Sequence, residues 1–333
     1  MLTKFVSILK NMGVKKALQA TINSLYLYFC RDILKRTFLI KRIHCYRMKL
    51  PIDKKKKGIA KGLLLFGVRE EDQLLVLKDE VQPGMVVLDL GANIGYYTLL
   101  LESLVGPQGK VYAYEPSSDN INILKENIKL NNKEDVIDVF HAGVSDKVGS
   151  ETLYLSEQSN VHNFITSYRS KMKDNSAEDD VEEVDMFDID TLIKNKRPIN
   201  FIRMDTEGYE VKVFRGMKSF VKQTNHEIKI LFEVHRSRYD DREFNMNKEL
   251  TWLFQSGFVP KVLIAKPLLK DKPWGLYPFS ERGYRPDFMI KTDGFERGYY
   301  TNISNEDVLD YVCSVGCVRA LFLCRAQKPL REE

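Results

Sequence analysis

The sequence has few cysteines, and none of them has the spacing of a metal-binding set. The five lie near the two ends of the chain: Cys30, Cys45, Cys313, Cys317 and Cys324. Because paired C-x-x-C sets are missing, no zinc site is expected. An odd number of cysteines outside any recognisable framework also argues against a disulfide-stabilised secreted domain. The cysteines therefore predict a reducing, cytoplasmic setting.

A long apolar run is missing as well. The longest uncharged stretch near the N-terminus covers residues 17–30, whereas a membrane-spanning helix needs about 20 apolar residues. No cleavage signature of a secretory signal follows it. Lysines and arginines interleave with apolar residues over 1–44, which predicts a basic helical extension. Such an extension could pack on the main domain, serve as an oligomer arm, or make peripheral contact with an anionic membrane.

Charge is distributed unevenly along the 333 residues, whose net charge is +5. Residues 1–57 hold 15 lysines and arginines against two aspartates, which gives +13. The remainder holds 36 basic and 44 acidic residues, which gives −8. An acidic main part argues against a nucleic-acid duplex lying across it, so no nucleic-acid partner is predicted.

The glycine pattern G-x-G-x-x-G of dinucleotide-binding folds is also missing. Residues 86–95 read VVLDLGANIG, and residues 112–115 read YAYE. Two apolar strands that each end in a carboxylate, with a glycine turn and a helix between them, form half of a mononucleotide-binding unit. With only Gly91 and Gly95 in the turn, and Asp89 beside them, a pyrophosphate would be repelled. A cationic amine or sulfonium would instead be attracted.

S-adenosylmethionine (SAM) is the common nucleoside that carries both an amine and a sulfonium, and it is therefore the predicted cofactor. The plain alternative is a tight strand-to-helix turn with no ligand. The predicted cofactor-binding residues are Asp89, Gly91, Ala92, Asn93, Gly95 and Glu115.

Strands alternate with helices along most of the chain, which predicts an α/β fold with a doubly wound, mostly parallel sheet and an antiparallel edge. The predicted organisation is a basic helical extension over 1–44, a strand and helix lead-in over 45–82, a catalytic domain over 83–295 and a C-terminal helical extension over 296–333. The polar tract between residues 167 and 183 predicts a mobile loop.

Ligands of open α/β sheets bind beyond the carboxyl ends of the strands. Asp205 and Glu207 follow the fourth predicted strand, and Glu233 and His235 end the fifth. These four residues are the predicted catalytic set. A hydroxyl acceptor needs a base, which could be His235, whose ordinary pKa is nearest to neutrality, or Asp205.

Each of these residues also has a simpler interpretation. Glu207 could cap the following helix, and His235 could hydrogen-bond a loop carbonyl. A divalent ion held by Asp205, Glu207 and Glu233 is a further alternative, although oxygen ligands at these spacings are a weak signal and no metal is predicted.

Three blocks, at residues 83–98, 106–116 and 201–210, resemble the FkbM family of SAM-dependent methyltransferases. The third block contains Asp-x-Glu-Gly-x-Glu after an apolar strand and is the most distinctive. The resemblance covers roughly residues 60–235. It implies the class I methyltransferase fold, SAM as cofactor, and methylation of a hydroxyl on a sugar, polyketide or related metabolite, hence a small-molecule or glycan partner. One departure is Arg203, where the family usually has lysine.

Three other functions agree less well with the sequence. A nucleic-acid N-methyltransferase places [D/N]-P-P-[Y/F] at the fourth strand, and residues 205–208 have neither proline nor aromatic residue. A NAD-dependent oxidoreductase is disfavoured by the missing glycine pattern. A catalytically silent SAM-binding or membrane-docking protein would bind SAM without turnover, and the presence of Asp205, Glu207 and His235 counts against it.

Overall fold

The computed structural model describes residues 14–53, 58–154, 164–165, 181–266, 277–293 and 295–326. The helices in these ranges are α1 Val14–Tyr28, α2 Ile59–Phe66, α3 Glu71–Glu80, α4 Tyr96–Val105, α5 Ser118–Leu130, α6 Ile189–Ile193, α7 Glu210–Gly216, α8 Lys218–Gln223, α9 Met246–Gln255, α10 Tyr277–Glu281 and α11 Asn305–Leu309. Short π-helical or 3₁₀ turns cover Phe29–Ile33, Arg236–Arg238 and Asp310–Val315.

The strands in the described ranges are β1 Phe38–Ile43, β2 Tyr46–Pro51, β3 Val86–Leu90, β4 Lys110–Glu115, β5 Ile137–His141, β6 Gly143–Val144, β7 Gly149–Tyr154, β8 Phe164–Ile165, β9 Val181–Phe187, β10 Phe201–Met204, β11 Ile228–Glu233, β12 Val259–Ala265, β13 Phe288–Thr292, β14 Phe295–Tyr300 and β15 Val318–Arg325.

The main sheet has the order β13-β14-β12-β15-β11-β10-β3-β4-β5 within the described part of the chain. The run from β11 to β5 is parallel throughout. Strand β15 is antiparallel to both of its neighbours, β11 and β12, and β13 and β14 form an antiparallel edge. The predicted α/β fold with a mostly parallel sheet and an antiparallel edge is confirmed.

Both faces of this sheet are covered, which explains the nearly continuous apolar runs in its strands. Leu88 of β3 pairs with Ile202 of β10, and both belong to the hydrophobic cluster on one face. Their chain neighbours Val87 and Phe201 also pair, and both belong to the cluster on the other face. The sheet is therefore packed between two hydrophobic clusters, and this packing fixes the position of its carboxyl edge.

The C-terminal segment differs from its prediction. A helical extension was expected over 296–333, and α11 is indeed helical, but β14 and β15 are strands of the main sheet. The sequence of β15, VRALFLCR, is a short apolar run, and such a run cannot be assigned to a helix or a strand by periodicity alone. The prediction of a purely helical extension is therefore wrong.

The N-terminal segment also differs in part. It is helical over α1, but its last residues form β1, which pairs antiparallel with β2 from Phe38↔Pro51 to Ile43↔Tyr46. No described helix combines the length and the apolar character that crossing a membrane requires. Nearly all of the tract between 167 and 183 lies outside the described residues.

Candidate active site

The glycine turn lies directly against the end of a neighbouring strand. Gly91 follows β3 with a φ of +82°, and a Cβ atom there would lie 2.0 Å from the backbone oxygen of Asp205. The amides of Gly91 and Ala92 both donate to the carbonyl of Tyr114, at 3.0 Å each. Because the turn is fixed between β4 and β10 at such short range, only glycine fits at this position.

Glu115 closes the turn from the end of β4. Its Oε2 accepts the amide of Asn93 at 2.8 Å, and its Oε1 accepts the Ser117 amide and Nδ2 of Asn120, both at 3.1 Å. Burial raises the pKa of Glu115 to about 7, although these three donors lower it. Gly95 then begins α4 with a φ of +93°. The predicted cofactor residues of the turn are thus brought together around one carboxyl.

Asp89 lies behind the turn rather than in an open pocket. Its carboxylate is fully buried, where it accepts Oγ1 of Thr98 at 2.6 Å and lies 3.5 Å from Nη1 of Arg203. Burial raises the pKa of Asp89, whereas Arg203 lowers it. Arg203 also donates to the carbonyl of Gly91 at 3.2 Å and to Oδ2 of Asp205 at 3.0 Å. In the structure Asp89 thus faces Thr98 and Arg203, and Arg203 links the turn to the next strand.

The four predicted catalytic residues meet around the imidazole of His235. Its Nε2 lies 3.5 Å from Glu207 Oε2, 3.5 Å from Glu233 Oε1 and 3.8 Å from Asp205 Oδ1. Its Nδ1 lies 3.0 Å from Glu210 Oε1. One ring nitrogen is therefore fixed by a carboxylate, while the other faces three more.

These carboxylates determine the charge of the imidazole. Burial alone would lower the pKa of His235, but Glu210, Glu207 and Asp205 raise it to about 9. Burial raises the pKa of Glu210, yet His235 holds it below its usual value. At neutral pH the pair is therefore an imidazolium and a carboxylate, which differs from the near-neutral histidine that the sequence suggested.

Glu210 is a functional candidate that sequence reasoning missed. It begins α7, and its Oε1 also accepts the amides of Thr206 at 3.2 Å and Gly208 at 3.1 Å. It is the last acid of the Asp-x-Glu-Gly-x-Glu block, three residues after Glu207, and this spacing was the available signal. Glu210 thus fixes the turn that precedes α7, whose N-cap residue is Tyr209.

Three of the site residues could together coordinate a cation. Donor atoms of Asp205, Glu233 and His235 all lie within 4.8 Å of one another. Oδ1 of Asp205 is buried and has no hydrogen-bond partner among the described residues. However, Glu233 Oε1 already pairs with Nη1 of Arg319, which supplies positive charge from within the protein.

Arg319 is the second residue that sequence reasoning missed. It extends from β15, and its Nη2 donates to Glu70 at 2.6 Å, while the Tyr97 hydroxyl donates to the same carboxylate at 2.7 Å. Burial alone would raise the pKa of Glu70, but Arg319 and Arg69 hold it at about 2. The segment predicted to be a helical extension therefore supplies a charged partner to the site.

The family model of the FkbM methyltransferase domain matches residues 89–260, just over half of the chain. The chain belongs to the FkbM methyltransferase family. This FkbM methyltransferase has the class I fold, and its cofactor is SAM. The matched residues include Asp89, the glycine turn, Glu115 and the whole His235 cluster.

Similar proteins are methyltransferases of several kinds. One is methyltransferase 1 of Beauveria bassiana, which is 24% identical over 145 residues covering 39% of this chain and 57% of that protein. Another is the hexuronic acid methyltransferase AglP of Haloferax volcanii, which is 24% identical over 168 residues covering 50% of this chain and 62% of that protein. The chain thus spans about three fifths of the length of these two relatives.

Among solved structures, a SAM-dependent O-methyltransferase from Thermotoga maritima superimposes with a TM-score of 0.38 and 10% identity, covering 91% of this chain and 83% of that one.

Proposed function

We propose that this FkbM methyltransferase transfers the methyl group of SAM to a hydroxyl of a sugar, polyketide or related small metabolite. The observation that carries this proposal is the His235–Glu210 pair beside Asp205, next to the glycine turn. A buried histidine that is oriented by a carboxylate is an arrangement suited to removing a proton from a hydroxyl. The similarity to a relative named as a hexuronic acid methyltransferase supports a sugar-like acceptor.

The cofactor end of the site is formed by the turn after β3. SAM supplies a methyl group on a positively charged sulfur. In the proposal Glu115 accepts hydroxyl groups of the nucleoside, and the backbone of the turn lies against the rest of the cofactor. Asp89 acts indirectly, by holding Arg203 against the turn. The residues proposed to hold the cofactor directly are Gly91, Ala92, Asn93, Gly95 and Glu115.

The acceptor end is formed by the cluster around His235. In its neutral form the imidazole accepts the hydroxyl proton at Nε2, while Glu210 holds the Nδ1–H and thereby orients the ring. The acceptor oxygen forms its new bond to the methyl carbon as the carbon–sulfur bond breaks, with S-adenosylhomocysteine as the leaving group. Glu207 and Glu233 offer carboxylate oxygens to further hydroxyls of the acceptor, which a polyhydroxylated compound would provide.

Isotope transfer tests the proposed reaction. Purified protein is incubated with SAM carrying a labelled methyl group and with small-molecule extracts, and products are analysed by mass spectrometry. The expected result is a small molecule that gains one labelled methyl group on oxygen, which carbon NMR of the purified product assigns. Parallel reactions with EDTA and with added magnesium show whether a cation assists.

The outcomes distinguish the candidate functions. A label on a nucleic-acid base or on a protein would contradict the proposed acceptor class. SAM binding without labelled product in any extract would favour the catalytically silent alternative. Loss of the product with EDTA and its recovery with magnesium would show that a cation assists, with Asp205, Glu233 and His235 as its candidate ligands.

A further inference from the structure

Helix α1 carries an exposed stripe of large apolar side chains. Its members are Val14, Leu18, Ile22, Leu25, Phe29 and Ile33, each between 48% and 70% exposed. Successive members are three or four residues apart, so they follow one face of α1 and of the π-helical turn that continues it. Apolar side chains that are exposed singly need no explanation, but a continuous row along one helix face does. We call these six residues the α1 stripe.

The opposite face of α1 is the one that attaches the helix to the protein. Ala17, Ala20 and Leu27 are buried on that face. Asn23 donates from Nδ2 to the carbonyl of Leu65 in α2 at 2.7 Å. The helix is therefore docked through a face different from the α1 stripe, and it holds the stripe outward in a fixed orientation.

The charge around the stripe is mostly positive. Residues 14–53 contain nine lysines and arginines but only two acids. Lys15 is exposed near the start of the stripe, and Lys35 and Arg36 are exposed beyond its end. The acid within the helical segment, Asp32, pairs with Arg31 at 2.6 Å. An apolar row bordered by positive charge is complementary to a surface that is apolar beneath a layer of negative charge.

We propose that the α1 stripe is a docking surface for a bilayer containing anionic lipids. The helix would lie in the plane of the interface, with its apolar side chains among the acyl chains and its lysines and arginines at the headgroups. A second copy of the chain is a poorer match, since a symmetric contact through this helix would bring two sets of positive charges together. Tyr26 and Tyr28 beside the stripe are also exposed. Tyrosine is enriched at the boundary between headgroups and acyl chains.

The test is co-sedimentation of the full chain with vesicles of phosphatidylcholine mixed with phosphatidylserine, and with vesicles of phosphatidylcholine alone. Wild-type protein is expected to bind the mixed vesicles and to be released by high salt. The variant Leu18→Glu/Leu25→Glu is expected to bind the mixed vesicles at least about tenfold more weakly than wild type.

The matched control is Gln19→Glu/Ser24→Glu, which adds the same two charges to exposed positions of α1 outside the stripe. It should keep most of the binding. Equal binding by the two variants, or equal binding to both kinds of vesicle, overturns the proposal. So does a dimer that sedimentation equilibrium detects in wild type, that Leu18→Glu/Leu25→Glu abolishes and that occurs without vesicle binding, because the stripe would then contact a second copy.

Discussion

Replacing Gly91 by alanine is expected to weaken SAM binding by about a hundredfold or more, which corresponds to about 3 kcal/mol. The new Cβ atom would lie 2.0 Å from the backbone oxygen of Asp205, and no real contact is that short. Since the obstacle is backbone and not the end of a flexible side chain, the turn itself must move. Its backbone, including that of Asn93, would then leave the positions proposed to hold the cofactor.

A matched control is available at Gly84, just before β3. Its φ is +85°, close to that of Gly91, but nothing lies within 4 Å of the Cβ position. Gly84→Ala therefore has the same conformational cost, about 1 kcal/mol of folding free energy, without the collision. We expect calorimetry to show wild-type SAM affinity for Gly84→Ala. Thermal unfolding of both variants separates loss of the fold from loss of the site, and equal SAM affinities would refute the assignment of the turn.

Replacing His235 by glutamine is expected to lower the rate of methyl transfer by about 10²- to 10⁴-fold, with SAM affinity unchanged. The comparison is His226→Gln, two residues before β11, where Nε2 lies 2.7 Å from the carbonyl of Ile199. A glutamine amide can replace that bond, so this variant should remain active. A His235→Gln enzyme with the wild-type rate would exclude His235 as the base.

The pH dependence of the methyl-transfer rate should also identify His235 as the base. Because the proposed base must be neutral and its pKa is about 9, the rate should rise about tenfold per pH unit from pH 7 and level off near pH 9. Glu210→Gln removes the nearest negative charge, so the rise should move to lower pH. A flat profile between pH 7 and 9, or one that Glu210→Gln does not move, would contradict the role given to this pair.

The cofactor half of the fold could be predicted from the sequence because its signals are local. A glycine turn precedes α4, and residues 106–109, which read GPQG, separate α4 from β4, so both elements have signals in the local sequence. The meeting of Asp205, Glu207, Glu233 and His235 was also predictable in outline, because parallel strands bring their carboxyl ends to one edge of the sheet.

The remaining features depend on contacts between distant parts of the chain. The helical stretch after β10 is divided into α7 and α8, and a Cβ atom at Gly216 would lie 2.3 Å from the carbonyl of Ser145. Arg319 reaches Glu233 only because β15 lies between β11 and β12. The pKa of His235 similarly depends on Glu210, Glu207 and Asp205, which lie on other elements than the histidine. None of these contacts can be located from the sequence around one residue alone.

Calorimetric titration of the wild-type chain with SAM, and separately with NAD, tests the central claim that the turn after β3 holds SAM. We expect saturable binding of one SAM per chain and no binding of NAD, since Asp89 is next to a turn that lacks the pyrophosphate pattern. Binding of NAD in place of SAM, or SAM binding that Gly91→Ala leaves intact, would contradict it.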